Sequence, residues 1–327
     1  MRGHRRGYWF AGGILAVALS CLQPLAASAA VQGTFERSLT VSGPVELDVN
    51  TGSGDIEVRT GGSGSVHVTG HVRISRWGDN ADEKLRRLQS NPPIEQSGNT
   101  IRVGYIHNPE LTHDVSISYR IEVPADTRLN SHTGSGDQTV DGIRGPVEAH
   151  AGSGNIRASS LGGETDLSTG SGDMRLENIK GDVRAHSGSG EIQASGIAGA
   201  FQAEAGSGNI HLEQTAAGEV HSRTGSGDVE LRGVSSLLNA HTGSGNLNIE
   251  GTPKAEWRVN AGSGNVSVKV PANAAFDLDV ATGSGTISLN HPVTVSGMIT
   301  RRAVRGKVGT GGSLVEVRTS SGNVDID

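Results

Sequence analysis

The side chains best suited to chemistry in this sequence are five histidines that keep a fixed relation to a repeated tripeptide. His132, His150, His186 and His241 stand two residues ahead of a Gly-Ser-Gly, and His221 stands four ahead. On a strand that parity points them outward, making His132 and His150 neighbours on adjacent repeats, where two imidazoles could share a metal ion. The same column continues through Ser168, Glu204, Arg223 and Asn260, a variety that a solvated face explains better. A second column follows the tripeptides: Asp137, Asn155, Asp173, Glu191, Asn209, Asp228, Asn246 and Asn265. Its carboxylates are oxygen ligands of the kind calcium takes. Asp and Asn at a turn also bond neighbouring backbone groups, so a stacked ladder of them needs no ion.

Other chemistry finds less support. The repeated serines have no consistent His and Asp around them, and Gly-Ser-Gly is not a nucleophile elbow. A strand rather than a helix follows the glycines, so they make no phosphate cradle. Polysaccharide lyases and hydrolases need clustered acids or bases beside a sugar-stacking groove, whereas Trp77, Tyr105, Tyr119 and Trp257 are scattered. No catalytic, cofactor-binding or metal-binding residue is expected, and no cofactor.

The elements that carry these columns are read from the repeat. Gly-Ser-Gly places its paired glycines at Gly134 and Gly136, Gly152 and Gly154, Gly170 and Gly172, Gly188 and Gly190, Gly206 and Gly208, Gly225 and Gly227, Gly243 and Gly245, Gly262 and Gly264, and Gly283 and Gly285. The intervals are 18, 18, 18, 18, 19, 18, 19 and 21 residues, the signature of a solenoid with one coil per repeat. Two earlier copies begin at Gly52 and Gly62, and a degenerate Ser320-Ser321-Gly322 lies near the end. Each repeat holds two stretches with apolar residues at every second position, such as Val147 with Ala149 before the tripeptide and Ile156 with Ala158 after it. That pattern is a strand with one buried face. An apolar plug followed by glycine, as in Ile143 with Gly145, separates the two strands. The expected fold is therefore all-β: a parallel β-solenoid of about 18-residue coils, with tripeptides at structural corners that need positive φ or close approach of a neighbouring chain. The alternative is a calcium-binding β-roll, whose nonapeptide is half this period. The second half of each coil, such as Gly199 to Ala203, lacks the matching Gly and Asp.

Composition agrees with a thin rod. Only 3% of the 327 residues are aromatic while 49 are glycine, so burial must come from many small aliphatic side chains. Residues 66–130 break the period and read as an insertion or cap. Within it a short amphipathic helix is expected over Asp79 to Leu88, closed by Asn91-Pro92-Pro93, with strands over Thr100 to Ile106 and Val115 to Val123. Residues 1–29 combine Arg2, Arg5 and Arg6 with an apolar run and Ala27-Ser28-Ala29, a secretory signal peptide cut before Ala30. Cys21, the only cysteine, offers the less favoured lipoprotein route. The remaining chain has 25 basic and 34 acidic residues, a mixed acidic surface that argues against nucleic acid as partner, and it keeps no stable membrane span. The expected segments are thus the signal peptide 1–29, strands with the first repeats at 30–65, the insertion 66–130, the regular solenoid 131–290, and an irregular coil with the last repeat at 291–327.

The repeated Gly-Ser-Gly-(Asp/Asn)-(Ile/Val), the segment Val123-Pro124-Ala125-Asp126 and the closing Gly311 to Val324 run together resemble the bacterial putative adhesin family, a domain of unknown function with a β-solenoid fold. The resemblance spans about Leu39 to Asp327 and implies no catalytic residues. The export signal and the long, regular, non-catalytic surface point to an exported scaffold of the periplasm, cell surface or extracellular space, with an envelope or extracellular ligand, carbohydrate or protein. A polysaccharide-active β-helix enzyme is the competing class.

Overall fold

A computed structural model describes residues 30–75, 80–295 and 300–327. The signal peptide expected over residues 1–29, with Cys21, and Trp77 and Asp79 lie outside the described residues.

Alternation of apolar and polar residues builds two long sheets, of 14 and 15 strands. Each regular coil contributes one strand to each. The strand before a corner, such as Val147–Ala151, lies in the larger, second sheet, and the strand after it, such as Ile156–Ser159, lies in the first. Successive coils pair in parallel and in register: Val147 with Thr165, Thr165 with Val183, Val183 with Phe201. Because a strand's side chains alternate, this register stacks like upon like. Val147, Ala149, Val183, Ala185, Phe201 and Ala203 face inward and are at most 3% exposed, and the residues between them face solvent. The narrow core admits few large groups. Trp257 is one, wholly buried with its indole N–H donating to the Ser236 carbonyl at 2.9 Å.

The two 19-residue intervals are absorbed opposite the corners. Phe201 pairs with Val220 and Ile210 with Val229, which puts the extra residue in the turn between Gln214 and Val220. There Gln214 occupies the slot that Ile143, Leu161, Ile179 and Ile197 fill as plugs in the preceding coils, and its Nε2 donates to the carbonyls of Gly199 and Gly218.

Both ends depart from a simple climb. The first coil, Val45–Ser53 and Ile56–Thr60, stacks directly under the coil of Thr127–Ser135 and Gln138–Asp141, although the intervening chain is long. That chain forms the N-terminal end. Strand Val115–Val123 lies parallel on Ile56–Thr60, Ser65–Ile74 and then Val31–Thr40 add to it in antiparallel pairing, and the helix Ala81–Ser90 packs on these two strands through Leu88. The helix thus starts and ends two residues later than expected, and the strand beginning at Thr100 stops at Val103. Gly62-Ser63-Gly64 is not a coil corner: it turns the chain into the antiparallel strand Ser65–Ile74, so nothing stacks on it in parallel.

The C-terminal end needs the larger correction. Leu314–Ser321 pairs in parallel with Trp257–Ser263 on one side and with Phe276–Ser284 on the other. Val324–Ile326 lies in the same way between Val266–Lys269 and Ile287–Leu289. Ser320-Ser321-Gly322 is therefore a regular corner inserted between those of Gly262 and Gly283, and the stack order differs from the chain order. Part of the expected irregular coil is also strand, Val293–Val295 and Ala303–Val308, which caps the second sheet with antiparallel pairing. Antiparallel strands thus protect the N-terminal end of the first sheet and both ends of the second, where an exposed parallel edge would otherwise template association.

Candidate functional site

The corners are held by three stacked columns. The first is glycine. A Cβ on Gly188 would fall on the carbonyl oxygen of Gly170, and one on Gly190 on that of Gly172, inside the 3.0 Å that real Cβ atoms respect. The same holds from Gly134 and Gly136 up to Gly262 and Gly264, each against its counterpart one coil below. Gly283 and Gly285 meet Ser320 and Gly322 instead, as the inserted coil requires. Positive φ explains little of this. Among these corners it occurs at the last glycine of five, Gly54, Gly245, Gly264, Gly285 and Gly322, with φ of 148° to 155°. Close approach of backbone to backbone is what requires glycine at the others.

The second column is the Asp/Asn ladder. Asp55 Oδ1 accepts from the Asp137 N–H, Asp137 from Asn155, Asn155 from Asp173, and Asp173 from Glu191, at 2.9 to 3.0 Å. The ladder resumes from Asn209 through Asp228, Asn246, Asn265 and Asn323 to Thr286, at 2.7 to 3.0 Å. Its gap is Glu191, whose longer side chain turns to His211 at 3.4 Å. Asn and Asp serve equally because one oxygen is used in each. The third column escaped the sequence reading. The residue just before each corner faces inward, and where it is Thr or Ser its hydroxyl donates to the carbonyl of the last corner glycine in the neighbouring coil, except at the lowest corner, where Thr51 donates to the Ile117 carbonyl. Thr133 bonds Gly54, Thr169 bonds Gly154, Ser187 bonds Gly172, Thr224 bonds Gly208 and Thr242 bonds Gly227, at 2.8 to 3.2 Å. A Thr at that fixed position was the available signal.

The histidines lie on the outer face of the second sheet. His132 and His150 are register partners, but His150 hydrogen-bonds Ser168 through Nδ1 and Glu148 through Nε2, the latter at 2.8 Å. His186 lies beside Glu204, 4.0 Å away. Among the described residues no three His, Cys, Asp or Glu side chains are placed to hold a metal ion. The middle serines Ser153, Ser171 and Ser189 point to solvent.

Farther along the same face the outward side chains line a groove. His221 stands in register with Gln202 and Asn239, and Arg223 with Glu204 and His241. With Asn260 these residues border a cavity of about 460 Å³, and a second of about 680 Å³ adjoins it, sharing His241 and Asn260 and reaching Arg318. Displaced proton affinities occur elsewhere. Burial pushes the Tyr119 phenol up, and burial with a hydrogen bond to Asp48 does the same to Tyr105. The ion pair with Glu164 raises Arg184.

A two-sheet parallel solenoid with glycine-stacked corners and polar outer columns is the class of protein these features define. The chain belongs to the Toastrack DUF4097 family, whose model matches residues 39–200 and 197–327, in agreement with the family resemblance of the repeats. Among solved structures it is similar to a "putative cell adhesion protein" from Clostridium sporogenes, 12% identical over 90% of this chain and 99% of that one, with a TM-score of 0.21. It is also similar to a "putative adhesin" from Bacteroides fragilis, 13% identical over 90% of this chain and 97% of that one, with a TM-score of 0.35. No curated protein matches the sequence. Among the described residues no helix is long and apolar enough to cross a membrane.

Proposed function

We propose that the protein is an exported, non-catalytic, adhesin-like scaffold that presents the outer face of its second sheet to a cell-envelope or extracellular ligand. The observation that supports this reading most is the register of that face. Outward side chains of successive coils form straight columns about 4.8 Å apart, on a body fixed by the glycine, Asx and hydroxyl columns. Rigid, repetitive presentation of this kind suits an extended ligand bound across several coils. Export rests on the leader-like residues 1–29, and N-terminal sequencing of the secreted product is expected to return Ala30. A product starting at a lipidated Cys21 would place the protein on a membrane instead.

The functional test is a panel of envelope and plant polysaccharides, scored for retention on the protein and for release of reducing ends. Stable retention without release is the expected outcome. Release without retention would replace the scaffold by a polysaccharide-active enzyme.

A further inference from the structure

The groove on the second sheet gathers a run of outward polar groups, most of them without a partner among the described residues. On the earlier coils several outward groups bond one another, His150 to Ser168 and Glu148, Arg184 to Glu164, Arg144 to Asp126 through two of its nitrogens, while Arg128, Asn130 and His132 have no such partner among the described residues. In the groove, Gln202, Arg223, Asn239, His241 and Asn260 have no hydrogen-bond or ion-pair partner among the described residues, and His221 has only Glu219 at 3.9 Å. These six come from four adjacent strands. One guanidinium, two imidazoles and three amides supply donors that no described residue accepts in a hydrogen bond, beside the amide and imidazole acceptors. Glu204 is the single carboxylate on its lining, in a chain whose net charge is −6.

From this we infer that the groove binds a carboxylate-bearing polysaccharide, an inference that rests on the scaffold reading above. Unpaired guanidinium and amide donors in a row are complementary to a ligand that offers acceptors in a row, and a free guanidinium selects a carboxylate among them. The direction of the row fits a polymer. The cavities run across the strands, along the stack, so each coil advances the lining by about 4.8 Å, close to one pyranose residue. Other partners fit less well. Protein interfaces are centred on buried aromatic and aliphatic anchors, and here the exposed large hydrophobic among the described residues is Leu314, outside the groove. A neutral glycan that stacks on Trp, Tyr or Phe would find none of them on this lining.

The test is affinity electrophoresis and calorimetry of the chain from Ala30 with polygalacturonate, its fully methyl-esterified form, and dextran. Polygalacturonate should bind, more weakly as salt rises, and neither neutral polymer should. The double variant Arg223→Gln with His241→Gln should weaken binding by roughly tenfold or more. The pair Arg157→Gln with Arg175→Gln, on the outer face of the first sheet, should leave it unchanged. All four side chains lie on solvent faces, and matching melting curves would confirm that the variants fold. Equal binding of the methyl ester, or of the groove variant, would overturn the inference. So would absence of binding to polygalacturonate. Retention of a neutral polymer alone would overturn it while leaving the scaffold standing, and reducing-end release would overturn both.

Discussion

Between Gly134 and Gly262 the chain climbs one coil per 18 or 19 residues, and every coil rests on the one before it in sequence. Beyond Gly262 it leaves a slot empty, builds the coil of Gly283, runs through the capping strands and returns to fill the slot with residues 314–326. The two regions use the same coil and the same corner but close it at different distances along the chain. That difference costs little: the entropy of loop closure grows only by about 0.6 kcal/mol per doubling of length. Against it stand Val315, Val317, Val324 and Ile326, each at most 1% exposed and worth roughly 1.5–3 kcal/mol apiece. The interposed coil is therefore a strongly favoured part of the rod, not a trailing end.

Deletions give the largest test of that comparison. Removing residues 314–327 takes away these four aliphatic groups and unseals both neighbours, and should lower unfolding free energy by roughly 6 kcal/mol or more. Excising residues 170–187, one whole coil from the middle, lets the corner of Gly188 settle on that of Gly152 and should cost less than half as much, by urea titration. Equal losses would mean that the middle is no more modular than the end.

The glycines sharpen the contrast at single residues. Gly190→Val drives a Cβ into the Gly172 carbonyl and should destabilise by about 3 kcal/mol. At the bottom of the stack Gly52 has nothing within 4 Å of its would-be Cβ, so Gly52→Val should stay within about 0.5 kcal/mol. Matching melting temperatures for the two variants would remove close approach as the reason for the motif. Thr169 comes next: its hydroxyl donates to Gly154 and accepts from the Gly172 N–H, so Thr169→Val should cost about 1–2 kcal/mol in the same assay.

The smallest expected effects lie on the Asx ladder. Glu191→Asn should close the gap to the Asn209 N–H and raise stability by about 0.5–1 kcal/mol, while Asp173→Asn should be near neutral, since only one of its oxygens serves the ladder. A calcium roll would behave otherwise, because its carboxylates contribute folding energy through the ion. Melting curves with and without chelator are expected to coincide, and a large drop on chelation would restore the calcium reading.

Much of the middle was legible in the sequence because it is local. The alternation in Val147 to Ala151 and Ile156 to Ser159 gives two strands with one buried face, and the 18-residue interval gives their stacking. The end was not legible for a specific reason. The 21 residues from Gly262 to Gly283 look like a coil with three residues to spare, so nothing in the spacing betrays the skipped slot. The Thr column was visible but reads as strand until the inward direction of its side chains is known. Parity put His221, Arg223 and His241 on an outer face; which of them lack partners depends on neighbours one coil away, such as the Ser168 that occupies His150.

The stack order itself can be measured by disulfide trapping. Neighbouring parallel strands bring outward residues about 4.8 Å apart at Cα, within disulfide reach, and the chain from Ala30 onward has no cysteine of its own. Asn260 is in register with Arg318, and Arg318 in turn with Ala281. Under mild oxidation, Asn260→Cys with Arg318→Cys should cross-link readily in the folded monomer, while Asn260→Cys with Ala281→Cys should not. The opposite result, a bond from position 260 to 281 and none to 318, would mean that the coils follow one another in chain order to the end.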